Sequence, residues 1–445
     1  MSSTTRTAAA LDSLPLAPGA LPVAGHLLPL LRDPLSFMTA PAGYGELVRI
    51  RLGPRTMVVI CSPDLALRAL RDDRTFDKIG GIFDQTRSVL GDGLSNCPHH
   101  LHRRQRRLLQ PTFHRFRMPG YAQTMTGLID ETTRTWQDGQ VLDVLPETRA
   151  LGSRVLAACM FPEAALMSTQ MTRLTDAFDA VLRGVLRKVL LPAWATNLPL
   201  LANRRFQRAV DHLRQTAQTA VEHRRSNDRD HGDLLSAMLA ARDEETPGGA
   251  QTALTETELI DNVVTFVIAG TDTSAISLAW ALYLLAQHPD VADHLRTEVD
   301  TVLGGRPARY DDLPRLPFTG DVINEALRCY PPAWITTRTT AVDTHLGGHQ
   351  LPQGTVLGFC VPLLQRHPGQ FPDHPERFDP DRRSAQPAPP RPATPCSPSA
   401  AAPANASATS SPAASSPSPW PPSPAAGDWS SCPTTPRPYP PDQAC

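Results

Sequence analysis

The chain has 445 residues, of which 46 are proline, and its 43 lysines and arginines balance 44 aspartates and glutamates. This balance provides no global field that would draw the chain to nucleic acid or to an anionic membrane. The eight cysteines form no C-x-x-C pair, which argues against a disulfide framework or a zinc ribbon. The first 28 residues lack a basic segment followed by a continuous apolar core, so we expect no signal peptide and a cytoplasmic setting.

The coarse pattern predicts a mainly α protein with a small β region. "LVRIRLGPRTMVVICSP" (47–63) alternates apolar and basic residues around Gly53-Pro54, which predicts an edge β-hairpin. Ser62 and Pro63 then form the N-cap and first position of a helix. Helical periodicity dominates from about residue 120 to 330, and strand-and-turn patterns return over 335–359.

The composition changes sharply near residue 383. Residues 384–445 hold 18 of the 46 prolines and contain no leucine, isoleucine or valine. Such a segment cannot bury enough apolar surface to offset the entropy lost on ordering. We therefore expect one folded domain over 1–383, followed by a Pro/Ala/Ser-rich disordered tail that a composition argument alone would describe as a Pro-rich linker.

The longest predicted helix lies in "TETELIDNVVTFVIAGTDTSAISLAWALYLLAQHP" (255–289). Thr255 and Glu258 form a capping box, and Pro289 ends the run. The apolar stretch is long enough to suggest a membrane span. However, Asp272 lies near its middle, where a charge costs about 2.5–3.5 kcal/mol at the bilayer centre. A helix through the core of a soluble protein fits the pattern better.

Gly270-Thr271-Asp272-Thr273 interrupts this helix with poor helix formers. Glycine costs about 1 kcal/mol there relative to alanine, and Thr and Asp side chains compete with the backbone hydrogen bonds. One interpretation is a glycine for close packing with hydroxyls that bond back to carbonyls. The other is a local opening of the helix beside a ligand, where an acid and an alcohol deliver protons.

Two more pairs have a helical spacing. Glu325 and Arg328 lie three residues apart in "PFTGDVINEALRCYPP" and can form an ion pair, although most such pairs are solvated surface contacts. His102 and Arg106 lie four apart in "HLHRRQRRLLQPTFH", on one helical face that could bind carboxylates. The alternative for the second pair is a solvated basic helix.

The ordered motifs "HRRQR", "AGTDTS", "EALR" and "HPERF" make residues 15–383 resemble a soluble bacterial cytochrome P450. The resemblance implies that Asp272 and Thr273 are an acid–alcohol pair that supplies protons for dioxygen cleavage. It also implies a structural triad of Glu325, Arg328 and Arg377. Its remaining candidates for contact with haem b are His102, Arg106, Ala269, Gly270 and Arg338. Among these, charged donors suit the haem propionates.

Further expectations follow from the resemblance. The reaction is a monooxygenation of a small apolar substrate, and the N-terminal part is similar to actinobacterial sesquiterpene-oxidising enzymes. Electrons would come from NAD(P)H through a ferredoxin and its reductase, which would dock near Arg103, Arg104 and Arg107. We expect a monomer that binds neither nucleic acid nor a membrane.

The family's iron ligand is missing from the sequence. Its loop has the form F-x-x-G-x-R-x-C-x-G shortly after "PERF" and supplies a Cys thiolate to iron. Cys396 and Cys432 lie in that region without the Phe, Arg and Gly neighbours, and Cys329 and Cys360 precede the motif. We thus expect no metal ligand in this chain, and a fold that lacks the haem–cysteine loop and last helix.

A changed reading frame accounts for this absence. One permitted coding of residues 395–412, read two bases in, gives Leu-Leu-Pro-Phe-Gly-Gly-Gly-Ala-Arg-Lys-Cys-Ile-Gly-Asp-Glu-Phe-Ala, which contains the missing loop. Asn405 followed by Ala406 allows only Cys or Arg in that frame. We therefore interpret the tail as out-of-frame translation that begins between about residues 379 and 394. Two hypotheses follow: a haem monooxygenase that is inactive in this chain, or a non-catalytic protein that binds haem poorly.

Overall fold

The computed structural model describes residues 11–161, 181, 184, 201–226, 232–243 and 252–383. The predicted disordered tail, including Cys396 and Cys432, lies outside these residues. Within them the chain is mainly helical with two small sheets, which confirms the predicted fold class.

The larger sheet combines strands from the N-terminal part of the chain, residues 47–77, with strands from residues 335–360. Its strands are β1 (Leu47–Leu52), β2 (Arg55–Ile60), β3 (Phe76–Asp77), β4 (Ile335–Thr340) and β7 (Val356–Cys360), in the order β1-β2-β7-β4-β3. The first two strands form the predicted antiparallel hairpin, whose turn contains Gly53 at a φ of 61°. β2 pairs with β7 in parallel, and the other pairs are antiparallel. β5 (Thr344–Leu346) and β6 (His349–Leu351) form a separate hairpin.

The N-terminal helices surround this sheet. They are α1 (Leu27–Arg32), α2 (Pro34–Thr39), α3 (Pro63–Arg71), α4 (Gly81–Leu90) and α5 (His99–Leu109). Helix α3 begins as predicted, with Ser62 in extended backbone at the N-cap and Pro63 at the first helical position. Buried apolar side chains of β1, β2 and β7, such as Val48, Val59 and Phe359, form the core of this half.

The helical half of the molecule is built around one long helix. Its elements are α6 (Met118–Thr133), α7 (Val144–Met160), α8 (Leu201–Ser226), α9 (Leu234–Ala240), α10 (Glu256–Gln287), α11 (Pro289–Leu303), α12 (Pro317–Cys329) and α13 (Val361–Gln365). Helix α10 begins at the predicted capping box, in which Thr255 Oγ1 accepts from Glu258 N–H and the Glu258 carboxylate accepts from Thr255 N–H. Its buried residues Leu259, Val263 and Val267 pack in the helical core.

Helix α10 is the one described helix that is long and apolar enough to cross a membrane, with a mean hydropathy of 1.4 in its most apolar window. The same helix packs against α7, α8 and α12. Asp272, near its middle, forms an ion pair within the protein. These contacts are those of a core helix.

Candidate functional site

Helix α10 is continuous through Gly270-Thr271-Asp272-Thr273. The Thr271 hydroxyl donates to the Val267 carbonyl at 2.9 Å, and the Thr273 hydroxyl donates to the Ala269 carbonyl at 2.5 Å. The predicted opening of the helix is therefore absent, because both hydroxyls bond back to the preceding turn. The backbone therefore follows the interpretation in which the hydroxyls bond back to carbonyls of the same helix.

Close helix packing explains Gly270. A Cβ atom at this position would lie 3.1 Å from Leu156 Cδ1 on α7. Gly152 on α7 makes the reciprocal approach, since its Cβ would lie 3.1 Å from the Thr271 carbonyl oxygen. Two glycines thus let α7 and α10 cross closely beside Ala269 and Gly270.

Asp272 is held by an arginine that the sequence analysis did not identify. Arg149 Nε on α7 donates to Asp272 Oδ1 at 2.8 Å, and the Asp272 side chain is 12% exposed. Asp272 and Thr273 are neighbours on α10, but Asp272 points toward α7 while the Thr273 hydroxyl caps a carbonyl of its own helix. Arg149 could only be found from the structure, because it lies 123 residues earlier in the chain.

Three buried basic side chains, which we call the basic cluster, line one small cavity: Lys78, His102 and Arg338. Lys78 Nζ donates to the Leu94 carbonyl at 2.8 Å. Arg338 Nη1 donates to the Thr337 carbonyl at 2.7 Å. His102 Nε2 is buried and has no hydrogen-bond partner within the described part of the chain. The sequence analysis singled out His102 and Arg338, and it missed Lys78.

Burial disfavours the charged forms of all three groups. It lowers the pKa of Lys78 to about 8 and that of Arg338 to about 10. It also lowers the pKa of His102 to about 3, with smaller contributions from Lys78 and Arg106. Arg338 and Lys78 remain cationic at neutral pH and lie next to a neutral imidazole.

Two carboxylates, Asp73 and Asp77, also line this cavity, and their negative charges favour the charged forms of Arg338 and Lys78. Asp73 Oδ1 lies 3.1 Å from His99 Nδ1. Asp77 Oδ1 accepts the backbone N–H groups of Lys78 at 2.6 Å and of His99 at 2.9 Å. Across the described chain, neither carboxylate forms an ion pair with a member of the basic cluster. The cluster therefore retains an excess of donors.

Helix α5 carries His102, and the loop before it is fixed to α10. Asn262 Oδ1 on α10 accepts from Leu94 N–H at 2.9 Å, and Asn262 Nδ2 donates to Gln105 Oε1 at 3.0 Å. A Cβ at Gly93 would lie 2.1 Å from Thr265 Oγ1, so the loop approaches α10 closely. This anchoring sets the position of the basic cluster relative to α10.

The other arginines of α5 differ in their surroundings. Arg104 Nη1 pairs with Glu258 at 2.6 Å, and Arg107 Nη2 pairs with Asp243 at 3.0 Å. Arg103 is exposed, and Arg106 is half-buried one turn after His102. Two arginines of the predicted docking face, Arg104 and Arg107, thus form ion pairs within the protein, and Arg107 also remains exposed.

Glu325 and Arg328 on α12 form a buried bidentate pair, as their spacing predicted. Arg328 Nε and Nη2 donate to the two carboxylate oxygens of Glu325 at 2.8 and 2.7 Å. Arg377 contributes its carbonyl, which accepts from Arg328 at 2.9 Å, while its side chain is exposed. The second guanidinium beside Glu325 belongs instead to Arg382, at 3.4 Å. The structure thus places Arg382 where the triad placed Arg377.

The described thiols are buried and reduced. Burial raises the pKa of each: to about 12 for Cys61 and Cys159, and to about 11 for Cys97, Cys329 and Cys360. A thiolate is the form that binds a metal. Within the described ranges, no group of three His, Cys, Asp or Glu side chains is arranged to hold a metal ion.

Comparison with known proteins agrees with this architecture. Residues 15–388 match the family model "Cytochrome P450". The chain is 43% identical to pentalenene oxygenase of Streptomyces avermitilis over 371 residues, which cover 82% of this chain and 80% of that protein. It is 40% identical to cyclooctatin synthase of Streptomyces melanosporofaciens over 369 residues, with 82% and 79% coverage. The family is one of monooxygenases that bind haem iron and use electrons from NAD(P)H through redox partners. This chain belongs to the cytochrome P450 family.

Proposed function

We propose that this chain is a terpenoid-oxidising cytochrome P450 whose catalytic activity has been lost with its iron ligand. The reaction of the intact enzyme would convert an apolar substrate RH, O₂, two electrons and two protons into ROH and water. The relatives that support a terpenoid substrate are pentalenene oxygenase and cyclooctatin synthase. The observation that carries the loss of activity is the absence of F-x-x-G-x-R-x-C-x-G from the 445 residues.

Only part of the protein fits the cofactor. The basic cluster supplies an orphaned buried nitrogen, His102 Nε2, and a buried guanidinium on Arg338, which suit the two haem propionates. Arg106 would extend this group from the next turn of α5. The described thiols do not fit the iron, since burial keeps each of them protonated. We therefore derive no catalytic step through haem in this chain.

The remaining residues have roles in the intact enzyme. Asp272 and Thr273 would supply protons from α10, with Arg149 holding the carboxylate. Ala269 and Gly270 would contact the cofactor from α10. Glu325, Arg328 and the segment around Arg377 would lock the core, with Arg382 as the second guanidinium. A ferredoxin would dock near Arg103, Arg104 and Arg107, of which Arg103 and Arg107 are exposed.

A change of reading frame between about residues 379 and 394 would explain why the fold ends without its ligand loop. The experiment compares the full chain with a version in which this frame is restored. We expect the restored version to give a thiolate-type Soret band when reduced under carbon monoxide, and the 445-residue chain to give none. Such a band from the 445-residue chain would falsify the proposed loss of activity.

Sequencing of the genomic template across codons 379–394 separates a genuine mutation from a reading error. The restored version also tests the substrate class. It should convert a cyclic sesquiterpene hydrocarbon to an alcohol when supplied with NAD(P)H, a ferredoxin and its reductase. Failure with terpenes alongside a normal thiolate band would contradict the terpenoid assignment alone. We infer a cytoplasmic monomer for both versions.

A further inference from the structure

A group of apolar side chains is exposed in the N-terminal part of the described chain. We call it the N-terminal apolar patch: Leu21, Val23, Leu28, Leu31 and Leu35, whose exposed fractions run from 42% for Leu35 to 86% for Val23. Helix α1 contains five apolar residues out of six, and none of its residues is buried. Single exposed leucines are common, whereas a cluster of them marks a surface that contacts another molecule or phase.

The segment that carries the patch is fixed on strand β1. Leu21 and Gly25 exchange two backbone hydrogen bonds, of 2.9 and 3.0 Å, which close a turn with Val23 at its tip. The next residue, His26, is buried, and its Nδ1 accepts from Arg51 N–H on β1 at 2.9 Å. Because hydrogen bonds hold the backbone on both sides of Val23, its exposure is a property of the fold and not of a frayed end.

Arginines lie beside the patch. Arg32 is the last residue of α1 and is exposed. Arg51 Nη2 donates at 3.4 Å to a carbonyl of the turn before α1. Arg55, also exposed, begins β2 at the end of the hairpin that bridges to this turn. Residues 21–35 and 51–55 contain these three arginines and a single acid, whose carboxylate caps α2. The surroundings of the patch are therefore basic.

The composition of the patch favours lipid over protein as its partner. Its members are four leucines and one valine. Protein interfaces are instead enriched in aromatic residues and methionine, and leucine and valine are under-represented among their hot spots. Aliphatic side chains beside arginines suit an anionic membrane surface, because the side chains enter the boundary of the acyl region while guanidinium groups bind lipid phosphates.

We propose that the N-terminal apolar patch docks this protein on the surface of an anionic phospholipid bilayer. The contact is peripheral and involves the turn before α1, α1 itself and the start of α2. The balanced charge of the whole chain predicts no membrane binding, because it averages over this local surface. Every residue of the patch precedes codon 379, so the 445-residue chain and its frame-restored version carry the same patch.

The experiment measures flotation of the purified 445-residue chain with lipid vesicles. One set of vesicles is made of phosphatidylcholine alone, and the other contains phosphatidylcholine and phosphatidylglycerol in equal amounts. We expect the chain to bind the anionic vesicles at least about tenfold more tightly than the neutral ones, since each arginine at the surface attracts anionic lipid. This preference should shrink as salt is added, because salt shortens the range of the attraction.

Variants separate the apolar from the charged contribution. Leu31→Ser should weaken binding to anionic vesicles about tenfold, because one leucine side chain no longer leaves water. Arg32→Gln should weaken it about fivefold on anionic vesicles and leave binding to neutral vesicles unchanged. The matched controls are Val141→Ser, at a valine that is 94% exposed, and Arg134→Gln, at an exposed arginine after α6; both should bind like the wild-type chain. Circular dichroism checks the fold, and Val23→Ser repeats the apolar test outside any helix.

Four results would overturn the proposal. The first is a lack of binding to either set of vesicles, and the second is equal binding to both. The third is an equal affinity of Leu31→Ser, Val23→Ser and Val141→Ser for anionic vesicles. The fourth is a wild-type dimer that Leu31→Ser converts to a monomer in analytical ultracentrifugation, without vesicle binding, which would identify the patch as a contact between two copies of the chain. None of these measurements depends on the carbon monoxide spectrum or the terpene oxidation that test the proposed function.

Discussion

Two buried arginines, Arg328 and Arg338, have opposite surroundings. Arg328 donates to both oxygens of Glu325 and to the carbonyls of Gln365, Pro375 and Arg377. Arg338 donates to one carbonyl, that of Thr337, and forms no ion pair with a described carboxylate. Burial lowers the pKa of Arg338 to about 10 despite the charges of Asp77 and Asp73. At Arg328 burial also lowers the pKa, but hydrogen bonds and charge from Glu325 outweigh it and the pKa rises.

This difference separates a structural arginine from a ligand-binding one. A buried cation whose donors all have partners stabilises the fold, and its loss leaves the partner uncompensated. A buried cation with spare donors destabilises the ligand-free protein and is useful only when an anion arrives. The two sites can therefore be distinguished by the sign of the stability change on substitution, before any ligand is added.

The largest change in stability should come from replacing Arg328, whose donors have partners. Arg328→Met should lower the free energy of unfolding by about 3–5 kcal/mol, because it leaves Glu325 buried without its bidentate partner. Urea denaturation followed by circular dichroism measures this change. The matched control is Arg296→Met, which removes an exposed i,i+3 pair with Asp293 and should alter stability by less than about 1 kcal/mol. Equal effects in the two variants would contradict the structural role of Arg328.

The second effect is the pH dependence caused by His102. The pKa of His102 is about 3 in the folded chain, below its ordinary value of 6.5. Between these two pH values the unfolded chain therefore binds a proton at His102 that the folded chain does not bind. Stability therefore falls as the pH drops through this window. The wild-type chain should lose about 2 kcal/mol more than His102→Phe between pH 8 and pH 5. Parallel curves for the two proteins would show that His102 titrates normally.

The smallest change in stability should come from replacing Arg338, and its sign should be opposite to that of the Arg328 variant. Arg338→Met should raise the free energy of unfolding of the ligand-free chain by about 1 kcal/mol, because it removes a desolvated cation that has no carboxylate partner. Urea denaturation in porphyrin-free, phosphate-free buffer measures this change. A loss of several kcal/mol, similar to that of Arg328→Met, would mean that Arg338 is a structural residue and would remove the contrast between the two sites.

Local patterns could be read from the sequence because neighbouring residues determine them. The capping box of Thr255 and Glu258 and the Glu325–Arg328 pair need only three-residue spacings, and both form as predicted. The hydroxyl of Thr273 likewise bonds within its own turn, although its sequence also allowed an opened helix. Such contacts need no knowledge of the tertiary fold.

Long-range contacts could not be read in the same way. The Asp272–Arg149 pair joins residues 123 positions apart, and Lys78 reaches the basic cluster only because β3 pairs with β4. Arg382 lies beside Glu325 because the 3₁₀ turn Pro380–Arg383 returns to α12. Each depends on how elements pack, so an ordered set of motifs identified the family while leaving the partners of its residues undetermined.

The parallel pairing of β2 with β7 has a consequence for biosynthesis. Met57 lies opposite Val356, 299 residues later in the chain. The β2 edge of the N-terminal hairpin therefore stays unpaired until most of the polypeptide has left the ribosome. Strands so far apart in the chain pair slowly. Because β7 ends at Cys360, the described strands of this sheet are all translated before codon 379. The proposed change of frame would therefore leave the five described strands of this sheet unaltered.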